Sequence, residues 1–172
     1  YRTAVGGDSD GFIVGLDQSG EVMFSTLLGG SGPDSIAGVA FDVYGRGLIL
    51  GGSTSSSDFP ATGGTLAASG PTAFLALLSY GADAFQFARL LGPGQVRDVA
   101  ADPNGGVYAA GLTTARDFPV TIDAFGDFSA VWRDPHMDTF VTRLSMDGAT
   151  IEYSTSLQGR SESQYLENDE ER

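Results

Sequence analysis

The sequence predicts an all-β protein made of repeated antiparallel units, and three observations lead to this prediction. A ten-residue phrase occurs twice, as STSSSDFPAT at residues 53–62 and as LTTARDFPVT at residues 112–121. Short runs of alternating apolar and polar residues are separated by turns that contain glycine, which is typical of β-hairpins. Glycine accounts for 25 of the 172 residues and leaves little room for helix.

Two types of hairpin alternate along the chain. The first type opens with phenylalanine and turns at a glycine: Phe12 and Gly20, Phe74 and Gly81, Phe140 and Gly148. The second type turns in an Asp-x-x-Gly sequence, where the carboxylate can accept bonds from the N–H groups ahead of it and glycine tolerates a positive φ: Asp42 to Gly45 and Asp102 to Gly105. The sequence therefore predicts ten strands, near 12–17, 21–28, 37–42, 47–52, 73–79, 84–91, 97–102, 106–111, 139–145 and 150–157.

The repeating unit consists of two such hairpins joined by a long loop that carries Asp-Phe-Pro. It recurs after 59 residues between Asp58 and Asp117, and after 66 residues between Phe74 and Phe140. Four antiparallel strands at this period are typical of a β-propeller blade. A right-handed β-solenoid is the main alternative, but its coils are usually far shorter than about 60 residues.

Several elements of the chain resemble a known bacterial repeat. They are DGF at 10–12, STLLGGSGxD at 25–34, GVAFD at 38–42 and GxST followed by FP at 51–60. These elements are similar to the SBBP repeat, whose name refers to seven-bladed β-propellers, and the similarity extends to about Gly159. The resemblance implies a propeller in a bacterial secreted or cell-surface protein and carries almost no catalytic information.

Counted in blades, residues 1–160 form a propeller-repeat segment of about two and a half blades. We assign half a blade to 1–30 and whole blades to 31–92 and 93–159. A closed propeller needs at least four blades, so we expect either a piece of a longer chain or an assembly of several copies. The start in mid-repeat without methionine favours the longer chain. The acidic tail 161–172 lacks apolar alternation, and we expect it to be disordered.

Composition and charge exclude several classes of function. The chain has no cysteine, which excludes disulfides, thiol nucleophiles and Cys-ligated zinc. All nine basic residues are Arg, and the 22 acidic residues give a net charge of −13. This charge argues against nucleic acid and anionic membrane surfaces as partners, since both attract cations. No apolar stretch could cross a membrane, so we expect no direct membrane insertion. The resemblance to the bacterial repeat implies an extracellular or cell-surface location, which the lack of cysteine and the acidic composition fit.

The repeated Asp-Phe-Pro triplet has an architectural and a functional interpretation. Its two copies are Asp58-Phe59-Pro60 and Asp117-Phe118-Pro119. In the architectural interpretation the phenylalanines fill the apolar gap between adjacent blades, the prolines fix the backbone and the aspartates accept loop N–H bonds. In the functional interpretation the aspartates are ligands or acids on one rim. A motif that occurs once per blade favours architecture.

The acidic loops could bind calcium, because calcium is a hard cation that takes six to eight oxygen ligands. The candidate ligands are Asp8, Asp10, Asp134 and Asp138. They lack the spacing of an EF-hand loop, and Asp10 aligns with Thr72, so the blade does not require a carboxylate there. We therefore expect solvated loops and no cofactor, with calcium as the alternative.

The loop before the third Phe-initiated hairpin is the candidate binding site. It is longer than its counterpart in the preceding unit and contains aromatic and cationic residues of the kind that anchor protein or glycan partners: Phe128, Trp132, Arg133 and His136. The alternative is that these side chains pack on their own blade. His136 is the only histidine, and the chain has no Gly-x-Ser-x-Gly sequence, so a serine hydrolase is not predicted.

The sequence favours a non-catalytic binding or structural module that contacts protein or glycan. One alternative is a propeller enzyme acting on polysaccharide, which would need paired carboxylates. The strands that would line the central channel, at 36–42 and 96–102, carry Asp42, Asp98 and Asp102. Because Asp42 and Asp102 are the repeated turn acids, Asp98 has no evident acidic partner. Another alternative is a self-assembling subunit whose partial blades pair between copies through open edges.

Overall fold

The structure, a computed structural model, describes residues 6–125 and 137–157. These residues form ten β-strands: β1 (Gly11–Leu16), β2 (Val22–Leu28), β3 (Asp34–Phe41), β4 (Gly47–Thr54), β5 (Thr72–Ser79), β6 (Phe85–Pro93), β7 (Gln95–Ala101), β8 (Val107–Thr113), β9 (Asp138–Leu144) and β10 (Ile151–Leu157). The predicted tail at 161–172 lies outside the described residues.

The all-β prediction is confirmed, and each predicted strand is found with ends within three residues of those expected. The largest difference is at the start of β3. It begins at Asp34, because Asp34 and Ser35 still pair with Thr54 and Ser53. Over 6–125 and 137–157 there is no helix, and so none that could span a membrane.

The strands form three antiparallel sheets. Sheet 1 is the β1–β2 hairpin, whereas sheet 2 (β3–β6) and sheet 3 (β7–β10) each contain four strands that neighbour one another in chain order. The first strands of both larger sheets are bulged at corresponding places, between Ile36 and Gly38 in β3 and between Val96 and Asp98 in β7. Sheets 2 and 3 are therefore two copies of one four-stranded unit, as the repeat in the sequence predicts.

Sheet 2 lies between the other two sheets, and its central strands β4 and β5 are buried on both faces. Successive side chains of a strand point to opposite faces. In β5, Phe74 and Leu78 pack with residues of sheet 1, and Leu75 and Leu77 pack with residues of sheet 3. This double burial explains why β5 is a continuous apolar run, TAFLALLS, rather than an alternating one.

Two hydrophobic cores hold the three sheets together. The first interface, between sheets 1 and 2, contains Leu28, Leu48, Leu50, Phe59, Phe74, Ala76, Leu78, Ala88 and Leu90, with Ile13 and Phe24 packed against them. The second interface, between sheets 2 and 3, contains Ile49, Ala73, Leu75, Leu77, Phe87, Leu91, Val96, Val99, Val107, Ala109, Phe118, Phe140 and Leu144. The second interface joins two whole sheets, whereas the first joins a whole sheet to a hairpin.

The Asp-x-x-Gly turns close the first hairpins of sheets 2 and 3, which are β3–β4 and β7–β8. Gly45 has a φ of 71° and Gly105 a φ of 96°, so both occupy the left-handed region that favours glycine. The buried carboxylate of Asp42 accepts the N–H groups of Tyr44 and Arg46, each at 3.0 Å. Asp102 accepts the N–H of Asn104 at 2.8 Å. The two acids satisfy the backbone of their turns, as expected from the sequence.

Candidate functional site

The Asp-Phe-Pro loops place one phenylalanine in each interface between sheets. Phe59 is buried in the first interface, with its ring centroid 4.7 Å from that of Phe74. Phe118 is buried in the second interface and stacks on Phe140, with centroids 4.4 Å apart. In each case the partner is the phenylalanine near the start of the following strand. The same ring-to-ring contact therefore occurs in both copies of the repeat.

The aspartates of the two triplets have different environments. The Asp58 Oδ1 accepts the N–H of Ser31 at 2.6 Å, which is the expected loop hydrogen bond. Asp117 is exposed, and among the described residues its carboxylate accepts no hydrogen bond. The reason is the length of the connection between sheets. Residues 29–33 join β2 to β3, whereas Gly94 alone joins β6 to β7, and its N–H donates to the Pro71 carbonyl.

The longer connection creates a carboxylate cluster at one end of the first interface. We call the side chains of Asp10, Asp34 and Ser56 around Gly29 the Gly29 rim. The Ser56 hydroxyl donates to the Asp34 Oδ2 at 2.6 Å, and the Gly30 N–H donates to the same oxygen at 2.7 Å. The Asp10 Oδ2 accepts the Gly6 N–H at 2.7 Å.

Only a glycine fits between the two carboxylates of this rim. A Cβ at position 29 would lie within 2.7 Å of both the Asp10 Oδ1 and the Asp34 Oδ2, which is closer than real Cβ contacts. The two carboxylates are therefore close neighbours on the same glycine. A groove lined by Leu28, Gly29, Asp58 and other residues opens beside them.

Each rim carboxylate leaves one oxygen without a partner. The Oδ1 atoms of Asp10 and Asp34 are buried and accept no hydrogen bond from the described residues. Asp34 is only 5% exposed. The described ion pairs of Arg46 and Arg143 go to Asp42, Asp102 and Glu152, not to this rim. A buried, unpartnered carboxylate oxygen is unfavourable, since its lost hydration is not replaced.

The equivalent place in the second interface is neutral. Thr72 opens β5 where Asp10 precedes β1, and its hydroxyl accepts the Ala67 N–H at 2.8 Å. Gly94 occupies the place of Asp34, and Ala115 that of Ser56. The cluster is thus a property of the first interface and not of the repeated unit.

The turn acids form ion pairs instead of a catalytic pair. The Arg46 guanidinium, which hydrogen-bonds to Asp42, holds the pKa of that carboxyl below its usual value. The N–H of Asn104, together with Arg143, lowers the pKa of the Asp102 carboxyl. Both acids are therefore ionised near neutral pH, and each is engaged by N–H groups of its turn and by an Arg side chain. Neither can serve as the protonated general acid that glycoside hydrolysis requires.

Side chains of sheet 2 and of its first turn donate hydrogen bonds to the turns of sheet 3, across the second interface. Arg46 donates to the carbonyl of Met146 at 2.6 Å and to that of Gly105 at 2.9 Å. The Tyr44 hydroxyl donates to the Pro103 carbonyl at 3.0 Å. Further along the interface, Arg89 donates to the carbonyl of Ala149 at 2.8 Å. These bonds hold the turns of sheet 3 against sheet 2.

The outer face of sheet 1 is apolar and exposed. Phe12 is 71% exposed and Leu16 57% exposed, and Val14 and Met23 on the same face are exposed as well. The repeat makes Phe12 the counterpart of Phe74 and Phe140, both of which are fully buried against the preceding sheet. Within the described part of the chain, sheet 1 thus leaves exposed the face that the other two copies bury.

The structure brings few of the predicted site residues together. Phe128, Trp132, Arg133, Asp134 and His136 lie outside the described residues, so the binding loop stays a prediction. Asp8 is exposed, and Asp138 is buried at the start of β9, far along the chain from the Gly29 rim. Among the described residues, no group of three or more Asp, Glu or His side chains is placed to share a metal ion.

Sequence reasoning selected Asp10 but missed Asp34 and Ser56. Asp34 was visible only as part of the motif STLLGGSGxD, and no spacing rule connects it to Asp10, which is 24 residues away. The signal that could have identified it is the five-residue connection at 29–33, where the next copy has a single glycine. Comparison with protein-family models gave no match to the chain, and the search of curated proteins gave none either.

Proposed function

We propose that this chain is a non-catalytic structural and binding segment of a β-propeller in a bacterial secreted or cell-surface protein. Two four-stranded meanders stacked face to face, with a third sheet of the same repeat beside them, are consistent with successive propeller blades. The sequence elements that resemble the SBBP repeat, the absence of cysteine and the net charge of −13 support the same assignment.

The exposed outer face of sheet 1 is the observation that carries this proposal. At the corresponding positions of sheet 2, Phe74, Ala76 and Leu78 are at most 1% exposed, because sheet 1 covers them. Phe12, Val14 and Leu16 have the same spacing and apolar character but no cover among the described residues. A contiguous apolar face of this kind marks a contact surface.

The occupant that best fits this face is a further four-stranded sheet of the same repeat. Within the chain, the Phe74 face of sheet 2 is covered by Ile13, Phe24 and Leu28 of sheet 1. β1 also has an unpaired edge among the described residues, because it pairs with β2 alone, whereas its counterpart β5 pairs with both β4 and β6. A sheet supplied in the same polypeptide or by another copy would satisfy both the face and the edge.

The binding role is assigned to protein or glycan partners through the loop that holds Phe128, Trp132, Arg133 and His136. Aromatic and Arg side chains in a long loop are effective anchors for such partners. Nucleic acid is disfavoured by the charge of −13. Catalysis on polysaccharide finds no support in Asp42 and Asp102, because their carboxylates are ionised and occupied by the turns.

Sedimentation velocity of residues 1–172 tests the proposal. We expect the chain to self-associate as its concentration rises, since no described residue covers the outer face of sheet 1 and another copy of the chain could do so. Phe12→Asp should weaken this association at least about tenfold, because it places a charge on an apolar contact surface. Ile122→Asp is the control, since Ile122 is fully exposed and follows Thr121, whose N–H donates to the carbonyl of Ser154 in sheet 3, and it should leave association unchanged.

A concentration-independent monomer with a cooperative melt would contradict the proposal. Equal weakening by Phe12→Asp and Ile122→Asp would also contradict it, because self-association would then reflect general hydrophobicity rather than this face.

A further inference from the structure

We propose that the Gly29 rim binds a calcium ion, with the buried Oδ1 atoms of Asp10 and Asp34 as its anionic ligands. The proposal begins from the two oxygens that lack a hydrogen-bond donor among the described residues. Native structures rarely leave a buried carboxylate oxygen unsatisfied, and a bound cation is one of the partners that can satisfy it.

The electrostatic situation of the rim favours a cation over another hydrogen bond. Asp10 and Asp34 are close neighbours across Gly29, and neither forms an ion pair with an Arg of the described chain. Two like charges in a partly dehydrated place repel each other. A divalent cation between them would remove that repulsion and supply the missing partner at the same time.

The donor set points to calcium rather than to a transition metal. All available ligands are oxygens: two carboxylates, the Ser56 hydroxyl that already contacts Asp34, and the backbone carbonyls of the 29–33 connection. Calcium takes six to eight oxygen ligands in flexible geometry and accepts carbonyls and water, whereas magnesium demands a nearly ideal octahedron. Two carboxylates are few, so the expected affinity is low, with a dissociation constant of about 10⁻⁴–10⁻³ M as in extracellular calcium modules.

The connection beside the Gly29 rim is fixed by hydrogen bonds, and the carboxylates of the rim occur in the first interface and not in the second. Its backbone is held by hydrogen bonds from Gly30 to Asp34, from Gly32 to Ser56 and from Ser31 to Asp58, at 2.6–2.8 Å. The second interface replaces Asp10 with Thr72 and Asp34 with Gly94. The stack therefore folds without carboxylates at this place, and their presence in the first interface calls for another reason.

Thermal unfolding with and without calcium tests the proposal on the full chain. We expect 10 mM CaCl₂ to raise the melting temperature by about 3–8 °C, from the linkage of ligand binding to unfolding for a protein of this size. The same ionic strength in NaCl should give no such rise, and MgCl₂ a clearly smaller one. Isothermal titration should give one calcium ion per chain.

Three variants separate the site from the general acidity of the protein. Asp34→Asn keeps the shape of the side chain and removes its charge, and Asp10→Thr introduces the residue that the next repeat uses. Both should abolish the calcium-dependent rise. Asp117→Asn removes an exposed carboxylate from the next repeat and should retain the rise in full. Either no rise in the unmodified chain, or a rise of equal size in all three variants, would overturn the proposal.

Discussion

The two interfaces between sheets are built from the same repeat, yet they differ in completeness and in their polar rims. The second interface joins two four-stranded sheets, and side chains such as Arg46 and Arg89 reach across it to backbone carbonyls. The first interface joins sheet 2 to a hairpin, and its rim holds the carboxylates of Asp10 and Asp34. The apolar centre of the repeat is thus constant, since Phe59 with Phe74 and Phe118 with Phe140 play equivalent parts.

The difference shows how a repeat protein separates stability from variation. A buried phenylalanine pair tolerates little change, because interiors are close-packed. The rim is bordered by loops, where a connection of five residues or of one residue is equally compatible with the sheets. The carboxylates of the Gly29 rim lie at such a connection, where the sequence can differ between repeats without changing the sheets.

The largest expected effect concerns the two core phenylalanines. Phe118→Ala should reduce the free energy of unfolding by about 3–5 kcal/mol, as the truncation of a buried aromatic does. Phe59→Ala should cost less, because its interface includes only the two strands of sheet 1. Urea denaturation measures both, and Ile122→Ala is the control, expected within about 0.5 kcal/mol of the unmodified chain because Ile122 is fully exposed. A larger loss of unfolding free energy for Phe59→Ala than for Phe118→Ala would contradict the expectation that the second interface contributes more to stability.

The next effect concerns the Asp42–Arg46 pair, whose Arg46 side chain donates hydrogen bonds across the second interface. The pKa of Asp42 is lowered in the folded chain, first of all by its hydrogen bond with Arg46. Its contribution is therefore complete above the unfolded pKa and is lost as the pH falls through the folded pKa, that is, below about pH 4. Asp42→Asn should cost about 1.5–3 kcal/mol at pH 7, as the loss of a charged hydrogen-bond partner does.

Denaturation at pH 7 and at pH 3 checks this expectation. The difference in unfolding free energy between Asp42→Asn and the unmodified chain should narrow at pH 3, because pH 3 lies below the ordinary Asp pKa and the unfolded chain then takes up a proton at Asp42. Asp17→Asn provides the comparison in sheet 1. Hydrogen bonds with Ser19 and Glu21 lower the pKa of Asp17 as well, but its turn is exposed and holds no described Arg that reaches across an interface. If Asp42→Asn and Asp17→Asn lower the free energy of unfolding equally, the hydrogen bonds of Arg46 across the second interface contribute no stability beyond that of the turn.

The smallest effect separates the two aspartates of the repeated triplet. Asp58→Asn should cost about 1 kcal/mol, because it weakens a charged acceptor of the Ser31 N–H. Asp117→Asn should change the free energy of unfolding by less than about 0.5 kcal/mol, since Asp117 is exposed and accepts no described hydrogen bond. Urea denaturation of the pair is again the measurement. Equal costs would mean that the longer connection at 29–33 does not alter the first interface.

Local pattern was sufficient for the strands. Apolar alternation and Asp-x-x-Gly turns predicted all ten, because both depend on neighbours within a few residues. The repeat likewise indicated that Phe59 and Phe118 have equivalent roles. Among the described residues Asp117 does not accept the expected N–H bond, because the connection before β7 is the single residue Gly94.

The sequence by itself determined the fold class, the strand order and the identity of the repeated core, since periodicity and turn chemistry are local. The tertiary structure alone decided which faces are covered and which distant side chains meet. Phe12 and Phe74 look alike in the sequence, and only the stacking of the sheets exposes one and buries the other. Asp10 and Asp34 are separated along the chain, and they become neighbours only because β1 and β3 bring their ends to the same glycine. Contacts of this kind depend on how whole sheets pack, which no short pattern of residues encodes.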